Sequence, residues 1–362
     1  MKVKLLGDVQ IVQNNKYSRH NYFAWSTATR LQNGKIAVVS SGLRTEHVDP
    51  FGKMVISYSD DDGKTFTCPA PVIDTPLDDR DGGICTFGEK GVIVTSFNNG
   101  RKVQIDELHY YDRYTTYKAA YLDTITKEEY EKYLGSTFRI SYDCGVTFGE
   151  LYKSPVTSPH GPIELLDGTV LWVGSAEFTE TAIRAYKINV ENGSMEFVGE
   201  IKSDGIEGEF DGKDIKTAYE KSCCEPYAFQ LPNGKIICQI RINNLHTILQ
   251  SESVDGGKTW TVPHLAVNEF FYPAHMMMHS SGILISAGTR REGFNEIRLM
   301  FSDDEGQTWK DTTTIFKGYR TDLGYPSTVE LQDGTLMTVF YAHYPTNDDP
   351  SLILAQRWTF EE

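Results

Sequence analysis

Cysteine is scarce in this chain: six thiols among 362 residues, at positions 68, 85, 144, 223, 224 and 238, with neither metal-ligand spacing nor the density of a disulfide scaffold. Reduced, mostly buried thiols holding no structural metal are expected. Long apolar runs are lacking too. No window approaches the ~18 consecutive apolar residues of a membrane span. Gly7, Asp8 and Gln10 interrupt the N-terminal apolar residues before they reach the about 7–15 that an export signal needs. The expectation is a soluble, cytoplasmic protein with no membrane partner. Positive charge is in deficit, since 35 Lys and Arg against 50 Asp and Glu leave a net −15, which argues against nucleic acid as a partner. Against these shortages, 40% hydrophobic and 12% aromatic residues supply a substantial core and exclude disorder.

Internal repetition decides the fold. A polar-Gly turn followed by a β-rich apolar run recurs as LQNGKIAVV (31–39), GEKGVIVTSF (88–97), LLDGTVLWV (165–173), LPNGKIICQI (231–240), HSSGILISA (279–287) and LQDGTLMTVF (331–340). Each reads as a β-hairpin, because glycine supplies the positive φ of a tight turn and the flanking runs carry strand residues. The marker glycines, from Gly34 to Gly334, are spaced 60 residues apart on average, enough for four short strands and their loops. Six such units predict an all-β, six-bladed β-propeller spanning 1–362 as a single domain, in which radial repetition protects the sheet edges. The N-terminal KVKLLGDVQIV is placed to complete the last blade and close the ring.

A second pattern, S-x-D-x-G-x-T-(W/F), occurs at 59–66, 141–148, 253–260 and 302–309. Its chemistry is that of a turn: Ser and Asp oxygens accept backbone N–H bonds and the aromatic packs the hairpin onto its blade. A calcium loop of the EF-hand type needs more oxygen ligands and a closing Glu, so no metal is expected. The pattern follows its turn glycine by 25, 50, 19 and 20 residues, which locates an insertion at about 101–135 in the second blade. There TKEEYEKYLG predicts a short helix, with Thr126 and Glu129 at capping-box spacing and Gly135 past its end.

In a propeller the innermost strands open onto one central mouth. About nine residues before each turn glycine lie YFAW (22–25), RDGG (80–83), HGPI (160–163), EPYA (225–228), HMMM (275–278) and YPST (325–328). These bring Arg80, Asp81, His160, Glu225, His275 and Tyr325 to the mouth. Loops leaving the second strands add Arg44, His47, Asp49, Asn98, Arg101, Arg241, Arg290, Arg291 and His343. Phe23, Trp25, Tyr227, Phe271 and Tyr272 are candidate apolar walls for a sugar ring. His275 and His279 have the i, i+4 spacing of a metal pair, but on a strand and without an intervening Glu they predict no zinc site.

The four boxes and the six-bladed arrangement resemble the sialidase (neuraminidase) superfamily of glycoside hydrolases over essentially the whole chain. The resemblance implies an exo-glycosidase that removes a terminal acidic sugar, sialic acid first among them, from a small glycan or glycoside without a cofactor. It implies Tyr325 as nucleophile, Glu225 as its partner, Asp49 as acid/base and Arg241 with Arg290 or Arg291 as grips on the substrate carboxylate. The family's first arginine is missing, since FAWST stands at 23–27 where an Arg-Ile-Pro run is usual. Arg44 or Arg80 is the candidate replacement, and Asp81 is the rival acid. His160 and His275 are candidates for hydrogen bonds to sugar hydroxyls. A glycosidase or lyase for another sugar and a non-catalytic glycan-binding propeller are the alternatives.

Overall fold

Strand Ile36–Arg44 is buried along nearly its whole length, and its alternate side chains feed two different layers. Ile36 and Val38 pack with Val329, Val339 and Ile353 on one side, while Ala37 and Val39 pack with Ile84, Val92 and Val94 on the other. This period-2 division, buried on both faces, explains why the second strand of each repeat reads as a continuous apolar run. The computed structural model describes residues 1–110, 116–176 and 180–361.

Six four-stranded antiparallel sheets surround one axis, forming a six-bladed β-propeller. Their innermost strands are Tyr22–Arg30, Ile84–Phe87, Ile163–Glu164, Cys223–Gln230, Tyr272–Met278 and Leu323–Glu330, in blades I to VI. Strand Val3–Gln13 pairs antiparallel with Ser351–Phe360 as the outermost strand of blade VI, with Val3 opposite Phe360 and Leu5 opposite Trp358. The N-terminal segment thus closes the ring as expected. Apolar packing is spread through the layers between neighbouring blades instead of collecting at one centre. Cys85, Cys223 and Cys238 are buried, whereas Cys144 and Cys224 are half-buried and Cys68 is exposed, so only half of the thiols meet the expectation of burial.

Strands alternate in direction, so the inner hairpin turns and the boxes share the face opposite the mouth. In the first box the Gly63 N–H donates to Ser59 Oγ at 2.8 Å, and Thr65 donates its N–H and hydroxyl to the two oxygens of Asp61 at 2.8 and 2.7 Å. The other three boxes repeat these bonds. The Thr147 and Thr259 hydroxyls and N–H groups hold Asp143 and Asp255 down at about 2. The box aromatics reach further than their own blade: Phe148 packs into the layer between blades I and II, and Trp260 into that between III and IV. In blade II the marker glycine differs in role. Gly88 takes the positive φ, and Gly91 opens strand Gly91–Asn98, where the Phe87 ring lies 2.4 Å from the place its Cβ would occupy.

The insertion lies between strands Gly91–Asn98 and Gly135–Ser141 and contains helices Arg101–Tyr110, Thr116–Leu122 and Lys127–Tyr133; its residues 111–115 lie outside the described residues. The Thr126–Glu129 capping box is formed, and Gly135 begins the next strand. The other two helices were not legible, because they have little apolar periodicity. Between blades III and IV the chain also forms a small hairpin, Glu209–Phe210 with Lys213–Asp214, and helix Ile215–Ser222 capped by Asp214.

Candidate active site

The inner strands carry β-bulges at the mouth. Ala24 and Thr27 oppose Ser41 and Val39, Cys224 and Tyr227 oppose Arg241 and Gln239, and Gly324 and Ser327 oppose Tyr341 and Val339, so the inner strands of blades I, IV and VI each have one extra residue. The extra residue turns left-handed: Trp25 at φ 54°, Glu225 at φ 46° and Tyr325 at φ 50°, joined by Asp81 at φ 51° on the approach to blade II. Such backbone costs a non-glycine residue about 1–3 kcal/mol and persists where the surroundings over-determine it. All four strained residues line one cavity of about 740 Å³ at the mouth.

At its centre Tyr325 donates its hydroxyl proton to Glu225 Oε1 at 2.7 Å, while Arg241 donates to Glu225 Oε2 at 2.6 Å and lies 3.4 Å from the tyrosine oxygen. Asn243 fixes the other arm of Arg241 at 2.7 Å, and the guanidinium lies over the Tyr272 ring, 4.6 Å from its centroid. Burial, then the charges of Glu225 and Asp81, push the Tyr325 phenol well above its ordinary range against the opposing pull of Arg241 and Arg291. The phenol is therefore neutral at rest, and among the described residues its proton has its short route to Glu225. Arg291, anchored to the Leu323 carbonyl at 2.7 and 3.0 Å, joins the wall.

The remaining candidates divide. Arg80 and Asp81 line the cavity, and the Arg80 guanidinium lies 4.4 Å from the Trp25 ring centroid. Arg44 is fully buried behind Trp25, bidentate to Asp78 at 2.5 and 3.0 Å, and is not on the wall. Arg290 turns aside to the Glu292 carbonyl and the Phe294 ring, leaving Arg291 as the cavity arginine. Asp49 does not reach the cavity. It is fully buried and consumed by its own loop: Thr45 donates its N–H and hydroxyl to it at 2.7 and 2.5 Å, and the Phe51 N–H donates at 3.1 Å. A carboxylate just before Pro50 closes a local turn here in preference to facing the mouth.

His160 and His275 lie off the wall, with ring centroids 5.0 Å apart, bound to Thr27 and Ser327. Burial holds His160 well below its ordinary range, with His275 adding to the effect, and pushes His275 down to about 3, so both are neutral. Among the five candidate aromatics only Trp25 is on the wall; Phe23 and Phe271 are core, Tyr227 stacks on His275, and Tyr272 carries the arginines. Asn98 instead binds the Tyr133 carbonyl and the Gly135 N–H, and Arg101 pairs with Asp123. His279 bonds the Gly334 carbonyl. Among the described residues no group of three or more His, Cys, Asp or Glu is arranged to hold a metal ion, and no helix is long and apolar enough to cross a membrane.

The largest omission from the sequence analysis is Asp322. It lines the cavity three residues before Tyr325 and gathers His47 Nδ1 at 2.9 Å, the Tyr22 hydroxyl at 2.7 Å and His343 Nε2 at 3.2 Å. Its place just ahead of the sixth inner strand was the available signal, but two of its partners lie near the other end of the chain.

The sequence profile of the BNR repeat-like domain matches residues 126–338. A search of curated proteins returned no match. Among solved structures, a protein of unknown function from Dyadobacter fermentans superposes with a TM-score of 0.75 at 17% identity, covering 99% of both chains. The Trypanosoma rangeli sialidase, solved with sialic acid, gives 0.60 at 15% identity over 98% of this chain and 57% of its own. The leech intramolecular trans-sialidase, solved with 2,7-anhydro-Neu5Ac, gives 0.65 at 14% identity over 98% and 70%. With more than half its length matched by that profile and its blades arranged as in these enzymes, the chain belongs to the BNR repeat-like family and has the sialidase-type six-bladed fold.

Proposed function

We propose that the chain is a retaining glycoside hydrolase that removes a terminal acidic sugar, sialic acid being the leading candidate, from a small glycan or glycoside. The observation that carries the reading is the Tyr325–Glu225 contact of 2.7 Å, with Arg241 holding the other carboxylate oxygen at 2.6 Å. Tyr325 attacks the anomeric carbon as Glu225 takes its proton, and the glycosyl–tyrosine intermediate is then hydrolysed. A neutral phenol suits this task, since it brings no full negative charge to a centre that already bears a carboxylate. Arg241, Arg291 and Arg80 present guanidinium groups to that carboxylate, and Asp81 lines the same cavity. Asp49 has no part in this reading, because its oxygens are occupied within its own loop.

One observation favours a second acidic sugar: Trp25 occupies the wall where the family resemblance predicts an arginine, leaving Arg80 stacked on it as the replacement. A fluorogenic sialoside assayed beside aryl glycosides of uronic acids distinguishes the two. In either case Tyr325→Phe is expected to lower kcat/KM by about 10³ or more while the fold is retained. Equal rates for the two proteins would refute the assignment, and binding without cleavage by the native chain would make it a glycan-binding propeller.

A further inference from the structure

A retaining hydrolase needs a group that protonates the leaving oxygen and later deprotonates water, and Asp49 is sequestered from that task, which leaves the cavity-lining Asp81 and His47. We propose that His47 performs it, with Asp322 as its positioning residue; this rests on the glycosidase reading above. The His47 ring lines the same cavity as Tyr325 and packs edge-on to Trp25 with centroids 5.0 Å apart. Tyr22 has one hydroxyl proton, and the 2.7 Å contact commits it to Asp322 Oδ2. Asp322 Oδ1, 2.9 Å from His47 Nδ1, then accepts the Nδ1–H bond, which selects the tautomer whose exchangeable site is Nε2. His343, bound to the Asp349 carbonyl and to Asp322 Oδ2, holds the carboxylate from the other side. Burial opposes ionisation of Asp322, yet His47, His343 and Tyr22 keep it well below the usual carboxylate range, so it is an anion throughout.

The steps balance. In the first, protonated His47 gives its Nε2 proton to the glycosidic oxygen, which takes the bonding electrons as the bond to the anomeric carbon breaks. The Tyr325 oxygen forms its bond there and its proton passes to Glu225. In the second, neutral His47 takes a proton from the water whose oxygen attacks the anomeric carbon, and Tyr325 leaves with the proton returned by Glu225.

The loop that presents His47 is fastened from the insertion. Lys118, fully buried on helix Thr116–Leu122, bonds Glu46 and Thr45 and lies 3.8 Å from Asp49, and Tyr117 and Tyr121 pack on Phe51. The sequestered Asp49 thus helps to shape the loop that carries the imidazole.

The groups facing His47 set its pH response: Asp322 and Tyr22 by hydrogen bond, Arg80 and Arg44 by charge. Burial, with the two arginines, pulls the imidazole below its ordinary range, and Asp322 pulls it up. An acid must be protonated to act, so kcat/KM should fall as pH rises through that lowered value, and Asp322→Asn should move the fall to still lower pH.

The test compares kcat/KM of the native chain, His47→Gln, Asp322→Asn and Tyr325→Phe on 4-methylumbelliferyl sialoside, whose leaving group needs little protonation, and on sialyllactose, whose leaving group needs it. If uronic acids prove to be the substrates, the corresponding pair replaces these. His47→Gln is expected to lose about 10² or more on the sugar leaving group and less than about tenfold on the aryl one, together with the alkaline limb of the profile. Equal losses on both substrates, or none, with Tyr325→Phe inactive, would overturn the His47 assignment alone. A native chain that cleaves neither substrate overturns the glycosidase reading and this inference with it. If His47→Gln does not fold, the limb of Asp322→Asn decides: a downward shift supports the proposal and an unmoved limb overturns it.

Discussion

The four box turns and the cavity mouth sit on opposite faces of the same blades and draw on overlapping residue types, yet they differ in where each side chain finds its partner. In a box, Asp and Ser bond groups two to four residues away, as in Ser59 to Asp61 and Asp61 to Thr65. At the mouth, Tyr325 meets Glu225 across 100 residues, His47 meets Asp322 across 275 and Tyr22 meets Asp322 across 300. Boxes are self-sufficient and repeat. The mouth is assembled once, from bulges on separate blades, and holds four non-glycine residues in strained backbone. Stability should therefore respond to both regions and chemistry only to the second.

The sharpest way to break this contrast is to show that the mouth does not act as a unit. Tyr325→Phe and Glu225→Gln are each expected to reduce kcat/KM by about 10³, and the double variant by little more than either, because the proposed proton transfer needs both partners. Additive losses would mean that the two groups work separately.

Next in size is the support behind the mouth. Asp78→Ala strands the fully buried Arg44 guanidinium, and breaking a buried pair from one side typically costs about 3–5 kcal/mol. Denaturant unfolding should show this as a lower midpoint with an unchanged slope. A loss below about 1 kcal/mol would mean that water reaches Arg44 and that the wall carrying Trp25 is softer than its packing implies.

The same contrast explains what was legible in the sequence. Hairpins, boxes, ring closure by Val3–Gln13 and the Thr126 cap were readable because their signals are local or repeat along the chain. Counting back nine residues from the turn glycines also found Trp25, Glu225 and Tyr325, since the bulge recurs at a fixed offset. Choosing between Asp49 and Asp81, or between Arg44 and Arg80, was beyond that method. Those residues sit on neighbouring loops with similar composition, and whether a carboxylate faces the cavity or its own backbone depends on one or two hydrogen bonds.

A smaller, pH-dependent effect comes from Asp79, beside the cavity segment. Burial, helped by the charge of Asp78, pushes its carboxyl up to about 7 against the bonds from Thr75 and Asn98. Its unfolded value is ~3.9, so the folded chain holds the extra proton between about pH 4 and 7. Its contribution to stability is full below about pH 4 and is lost as pH rises through about 7. The melting temperature should accordingly fall between about pH 4 and 7 and level off above, and Asp79→Asn should flatten that decline. An unchanged decline would assign it to other groups.

The smallest expected effect tests the self-sufficiency of a box. Ser253 is buried, accepts the Gly257 N–H at 2.9 Å and donates to Asp255 Oδ1 at 2.9 Å. Ser253→Ala leaves that N–H without its acceptor and removes one of the bonds to Asp255, for a loss of about 1 kcal/mol. Thr259 still holds Asp255 through its N–H and hydroxyl, so the turn should persist. Trp260 should remain packed between blades III and IV. The proposed hydrolysis should be unaffected, because among the described residues no bond of this turn reaches the cavity wall. A matching fall in activity at unchanged stability would show that box geometry is transmitted across the blade to the mouth, and the division between the two faces would fail.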